Sequence, residues 1–130
     1  HLGIHTEIVG AEPLLGNDAA RSLRLNQLVK NEQEPPTVAD GARTASLGQI
    51  NWEVLRQGLA DIIEVPDPTT LKALRYLFRY ANLKVEPTGA LTTGALLSHP
   101  DRFAGKKVCC IISGGNVDPG LYAEYLAQSI

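Results

Sequence analysis

Ser113, Gly114 and Gly115 follow five consecutive apolar residues, Val108-Cys109-Cys110-Ile111-Ile112, and lead into Asn116, Val117 and Asp118. An unbroken apolar run of that length describes a strand buried on both faces of a parallel sheet. Ligands of such sheets gather at the carboxyl ends of the strands, and the two glycines let the backbone turn sharply beside a bound molecule. Ser113 is placed like a site residue, although the same strand-to-helix turn serves any α/β domain. Glu12 and Asp18, with the Gly16 carbonyl between them, offer the oxygen donors that magnesium or calcium prefers. Glu12 as a surface acid and Asp18 as a helix N-cap are the competing reading of that spacing. Glu86, between Val85 and Pro87, is either an acid favoured by the positive end of a helix or the wall of a pocket. Gly48 ends a run of small residues, 38–48, that has neither helical nor strand period, and loops of that kind often carry function. The segments around Glu86, Ser113 and Gly48 all fall at strand ends or in loops, so one shared crevice is expected.

No nucleophile and base are paired by the sequence. His1 and His5 lie at the terminus and His99 precedes Pro100, so all three read as solvated. Cys109 and Cys110 point to opposite faces of the expected strand and read as buried thiols acting as small hydrophobes. The absence of a disulfide framework fits a reducing, cytoplasmic compartment.

The 130 residues, 44% hydrophobic and 20% charged with a formal net charge of -2, suit one α/β domain over 1–130 and argue against disorder. Positive charges are scattered, which argues against a nucleic-acid surface, and no apolar run approaches the ~18 residues of a membrane span. The start, His1-Leu2-Gly3-Ile4-His5, is neither a signal peptide nor an initiator methionine, and with no Met in the chain a piece of something longer or a processed product is expected.

Strand and helix signals alternate from end to end. A strand is expected over 6–12 with Pro13 ending it, then a helix from Ala19 to about Lys30 opened by Asn17 or Asp18 and presenting Leu23, Leu25, Leu28 and Val29. A helix over 51–58 should bury Trp52, Val54 and Leu55 and stop at Gly58, and a strand over 61–65 should end at Pro66. Asp67 then caps a helix over 68–81 whose stripe is Leu71, Leu74, Leu77, Phe78 and Ala81. An extended piece over 83–86 leads to a helix over 88–98, rich in Gly89, Ala90, Gly94 and Ala95, and Asp118 with Pro119 suits the start of a last one. Such alternation implies a parallel sheet with helices on both faces.

Taken together, the stretches Val9-Gly10-Ala11-Glu12-Pro13, Asp18-Ala19-Ala20-Arg21-Ser22-Leu23, Val38-Ala39-Asp40-Gly41, Leu83-Lys84-Val85-Glu86-Pro87-Thr88-Gly89-Ala90 and Ile112-Ser113-Gly114-Gly115-Asn116-Val117-Asp118 resemble the C-terminal portion of the pyridoxal-phosphate enzymes of the serine/threonine dehydratase and serine racemase family. The resemblance covers nearly all the chain, and implies the C-terminal part of a fold-type II enzyme. It also implies that Ser113 hydrogen-bonds the pyridine nitrogen of pyridoxal phosphate. Glu86 matches an acid beside the cofactor ring, Gly48 matches a backbone position lining the same pocket, and Glu12, Gly16 and Asp18 match a divalent-cation site of racemase-like members.

The family's cofactor-anchoring lysine, its Ser-Ser-Gly-Asn substrate loop and its glycine-rich phosphate loop have no match here. Lys30, Lys72, Lys84, Lys106 and Lys107 sit in none of those motifs, so no residue of the chain is assigned a catalytic role. The resemblance implies part of an ammonia-lyase that converts a serine- or threonine-like amino acid into a 2-oxo acid and ammonia. The partner would be an N-terminal half carrying the lysine, with a homo-oligomer when complete. A serine racemase-type activity and a non-catalytic α/β interaction module are the alternatives, and the isolated chain is expected to be inactive.

Overall fold

The computed structural model of the chain describes residues 6–128. Two strands, β1 (Val9–Pro13) and β2 (Asp61–Val65), pair in parallel with Val9 opposite Asp61 and Pro13 opposite Val65. Adjacent residues of a strand face opposite ways, and Ile62 and Ile63 use this to build two cores. Ile62 packs with Ala19 and Ala20 of α1 (Asp18–Leu25) on one face. Ile63 and Val65 pack with Leu91 and Ala95 of α4 (Pro87–Ser98) on the other. The fold is therefore an α/β arrangement with helices on both faces of a parallel sheet, as the alternation implied.

Between the strands lie a loop and α2 (Gln49–Gly58), and after β2 comes α3 (Asp67–Ala81). A short α5 (Pro100–Phe103) and a final α6 (Pro119–Ala127) complete the chain. A third core joins Ala73, Leu74 and Leu77 of α3 to Val85, Ala90 and Tyr122. Gly94 makes the packing of α4 close, since a methyl there would come within 2.8 Å of Val65 Cγ1. No helix among the described residues is long and apolar enough to cross a membrane.

Several expectations are corrected. The first strand is shifted to include Pro13, which is buried and has no ladder N–H to lose on its edge strand. The second element stops at Leu25 rather than Lys30, because Asn26 turns left-handed (φ 49°) and its N–H bonds the carbonyls of Leu23 and Ser22. Leu25 is thus 65% exposed and outside the apolar face. Val54 is exposed and Leu55 only half-buried, so α2 is anchored by Trp52. Phe78 and Ala81 leave the α3 stripe for the surface.

Asp67 is the first residue of α3, not its cap. Its carboxylate accepts hydrogen bonds from Thr37 Oγ1 (2.6 Å) and the Val38 N–H (2.9 Å), holding the distant loop. The largest correction concerns residues 108–112. They form no strand and pair with none among the described residues. Val108 and Cys109 are exposed, Ile111 is 69% exposed, and Cys110 is half-buried, its thiol pushed up by burial. Only Ile112 joins the third core, and the Ile111 carbonyl accepts from Thr92 Oγ1 at 3.0 Å. A doubly buried strand needs ladder neighbours and a cover on each face, and the described residues supply neither.

Candidate functional site

The amino end of α4 and the loop after residue 112 approach so closely that glycine is required on both sides. A Cβ on Gly89 would lie 1.7 Å from the Ser113 carbonyl oxygen. Gly114 has φ +70°, a conformation side chains rarely adopt, and a Cβ there would meet Glu86 Oε1 at 2.2 Å. The Glu86 N–H donates to the Gly114 carbonyl (3.3 Å), and Glu86 Oε2 accepts from the Asn116 N–H (2.9 Å). Glu86 and Ser113 are therefore neighbours, brought together from 83–86 and 108–113 as expected. Glu86 is the N-cap residue of α4, yet its side chain caps nothing in the helix and reaches across to the loop instead.

Ser113 is exposed, and its hydroxyl has no hydrogen-bond partner among the described residues. The following helix is tied down as the sequence suggested, with Asp118 Oδ1 accepting from the Leu121 N–H at 2.9 Å. A free hydroxyl on a loop fixed at its next three residues can meet an acceptor or donor on a ligand without rearrangement.

The loop that reaches this pair is 38–42, rather than the neighbourhood of Gly48. The Gly41 N–H donates to Thr88 Oγ1 at 3.0 Å, beside Glu86 and Pro87. A cavity of about 230 Å³ lies there, lined among others by Asp40, Arg43, Pro87, Asn116 and Tyr125. Gly48 instead opens α2, where its carbonyl accepts from the Trp52 N–H, and a Cβ on it would touch only Asn51. Thr88 and Gly41 are the members that sequence reasoning missed. Their signal was the polar, small-residue pair Asp40-Gly41, whose partner 47 residues away cannot be read from spacing.

Glu12 and Asp18 also come close together, around the amino end of α1. Glu12 accepts from the N–H groups of Ala19 (3.2 Å) and Ala20 (2.6 Å). Its pKa is raised to about 7, chiefly by burial; the Asp18 and Glu64 charges add to the rise and the two N–H bonds oppose it. Asp18, 3% exposed, is not the N-cap; it accepts from Asn31 Nδ2 (2.8 Å) and the Leu47 N–H (3.1 Å). Asn17 holds the cap position without a side-chain cap bond. Gly16 is buried against Pro35.

Neither Glu12 nor Asp18 forms a salt bridge among the described residues. No group of three His, Cys, Asp or Glu is gathered there or elsewhere among them, the third expected donor being a backbone carbonyl. Asp18 is buried and Glu12 half-buried, and the oxygens of both accept from the N–H groups of Ala19, Ala20 and Leu47 and from Asn31 Nδ2.

Architecture and geometry together define a class: a doubly covered parallel α/β unit with a hydroxyl-bearing glycine turn beside a helix-end carboxylate. The chain belongs to the pyridoxal-phosphate dependent enzyme family, which it matches over residues 1–114. It is 35% identical over 128 residues to a serine racemase of Schizosaccharomyces pombe, covering 98% of this chain and 39% of that protein. It is 37% identical over 119 residues to an L-threo-3-hydroxyaspartate ammonia-lyase of Pseudomonas sp, covering 92% and 37% respectively. Among solved structures, a maize serine racemase superposes with a TM-score of 0.82 at 32% identity, over 91% of this chain and 37% of the other. The chain thus spans about two fifths of the length of the relatives it matches.

Proposed function

We propose that the chain forms the ring-facing wall of the cofactor site in an amino-acid ammonia-lyase, an enzyme that turns a serine- or threonine-like substrate into a 2-oxo acid and ammonia. The observation that carries this reading is the exposed, unpartnered Ser113 hydroxyl on a loop locked by Glu86, Gly89 and Gly114. Those residues fit pyridoxal phosphate: Ser113 would hold the ring nitrogen and Glu86 would stand at the ring edge. Bound there, the cofactor supplies the electron sink that acidifies the α-proton of an amino acid.

The chain's own residues set how strong that sink is. A neutral hydroxyl leaves the ring nitrogen largely unprotonated, whereas an aspartate would hold a proton on it. Glu86 keeps Asn116, and with it the serine loop, at fixed distance from α4. Gly48 is proposed to line the pocket from the start of α2, and Glu12, Asp18 and the Gly16 carbonyl to hold a magnesium or calcium ion. The lysine that takes the α-proton and the loop that binds phosphate match no motif in this chain, so the isolated chain is proposed to be inactive.

Racemisation starts from the same proton removal, and the likeness to a serine racemase keeps it as the second reading. Co-expression with the lysine-bearing N-terminal part of a threonine deaminase tests both. Pyruvate or 2-oxobutyrate formation that falls on Ser113→Ala supports the lyase, and D-serine formation supports the racemase. A complemented enzyme that binds pyridoxal phosphate and is indifferent to Ser113→Ala would refute the ring-nitrogen assignment.

A further inference from the structure

A second cavity lies between the carboxyl end of α3 and α6, away from Ser113. It measures about 470 Å³ and is lined by Arg75, Phe78, Arg79, Asn82, Lys84 and Leu126. Three of those residues are cations and none is an acid. None of the three forms a salt bridge among the described residues, so the positive charge facing the cavity is uncompensated by side chains there.

Arg75 is the decisive member. It is 8% exposed, and its Nη1 donates to the Tyr125 carbonyl (3.2 Å) and to Gln128 Oε1 (3.3 Å), joining α3 to α6. Its Nε, buried as well, has no hydrogen-bond partner among the described residues. Buried donors are nearly always satisfied, and a guanidinium offers its fork of N–H groups best to a carboxylate or phosphate. Phe78 and Leu126 add an apolar wall, and a cavity of this size is within the range that holds small organic ligands.

We propose that this cavity binds a small organic anion, a carboxylate or phosphate monoester carried on a flat apolar body. The acid group meets Arg75, Arg79 and Lys84, and the body lies against Phe78 and Leu126. The proposal stands apart from the cofactor reading, since none of its residues belongs to the Ser113 and Glu86 pair. Lys84 nevertheless links the two regions: its carbonyl would lie 2.9 Å from a Cβ on Gly115, on the turn after Ser113.

The test is calorimetric titration of the 130-residue chain at low ionic strength with phenyl phosphate, benzoate and neutral benzyl alcohol. One or both anions should bind saturably at a single site, the tighter one naming the acid group, and benzyl alcohol should not compete. Arg79 and Lys84 are exposed, so Arg79→Gln with Lys84→Gln should leave the fold intact by circular dichroism and weaken binding by roughly tenfold or more. Arg75→Lys, which keeps the charge but loses the planar guanidinium fork, should weaken it too. Absence of saturable binding of either anion up to ~10 mM, far above the range of specific sites, would overturn the proposal. Equal binding of benzyl alcohol, or anion binding unchanged by the double substitution, would overturn it equally.

Discussion

Replacing Gly89 by alanine adds one methyl group at the point where α4 and the serine loop touch. The methyl carbon would sit 1.7 Å from the Ser113 oxygen, 2.8 Å from the Ser113 carbonyl carbon and 2.8 Å from Val85 Cγ2. Two of those atoms are backbone, so no rotamer change relieves the overlap and the loop must move. Overpacking of this kind costs ~1–3 kcal/mol, against which the better helix propensity of alanine returns at most ~1 kcal/mol. Gly58, the last residue of α2, is the control, because a Cβ there meets nothing within 4 Å and φ is not positive. Gly58→Ala should therefore gain up to ~1 kcal/mol from propensity alone. Each kcal/mol moves the melting temperature by about 3–6 °C in a chain of this size. Thermal unfolding followed by far-ultraviolet circular dichroism, and by the fluorescence of Trp52, the one tryptophan, should show opposite shifts for the two variants. Gly89→Ala melting at or above the wild-type temperature would refute the close approach and the fixed position of Ser113 that depends on it.

Ser113→Ala should change stability by no more than ~0.5 kcal/mol, since the hydroxyl is exposed and unpartnered, while turnover of a complemented enzyme falls; a melting shift as large as the loss of activity would argue for a structural serine. Glu12, with its pKa raised from 4.5 to about 7, holds a proton in the folded state at pH values where the unfolded chain has lost it. Its contribution is full below pH 4.5 and declines as pH rises towards 7, so in chelator the stability difference between wild type and Glu12→Gln should vary over that window, and parallel profiles would contradict the burial. Magnesium or calcium at a hundredfold excess over its dissociation constant should stabilise the chain by about 2.7 kcal/mol, an increment that Asp18→Asn removes; equal melting with cation and chelator would return both acids to purely structural roles.

Much of the architecture was legible because it rests on local period. Ile62, Ile63 and Val65 alternate, Leu71, Leu74 and Leu77 recur at helical spacing, and Pro66, Pro87 and Pro119 mark helix starts. Glu86 and Ser113 were legible as candidates because each closes an extended segment before a helix. What escaped was every feature decided by a distant partner. Asp67 looks like a cap in sequence, but Thr37 and Val38, some 30 residues away, claim its carboxylate. Asp18 is likewise claimed by Asn31 and Leu47, and α1 ends early because Asn26 accepts a left-handed turn, which hydrophobic spacing does not register. Residues 108–112 read as a buried strand from composition, but burial is a property of neighbours, and Ile111 has few.

The sheet itself has a practical consequence for anyone handling the purified chain. β1 and β2 pair only with each other among the described residues, so the outer side of each carries backbone donors and acceptors with no ladder partner. Residues 108–112 form no strand, but they leave apolar side chains in water, with Val108 43% and Ile111 69% exposed. Strand edges of that kind are templates for another strand, and parallel sheets ordinarily keep them covered. Concentrated solutions of the 130-residue chain should therefore scatter light and deposit β-rich aggregate on storage, and a lysine in place of Ile111 should lengthen the time before they do.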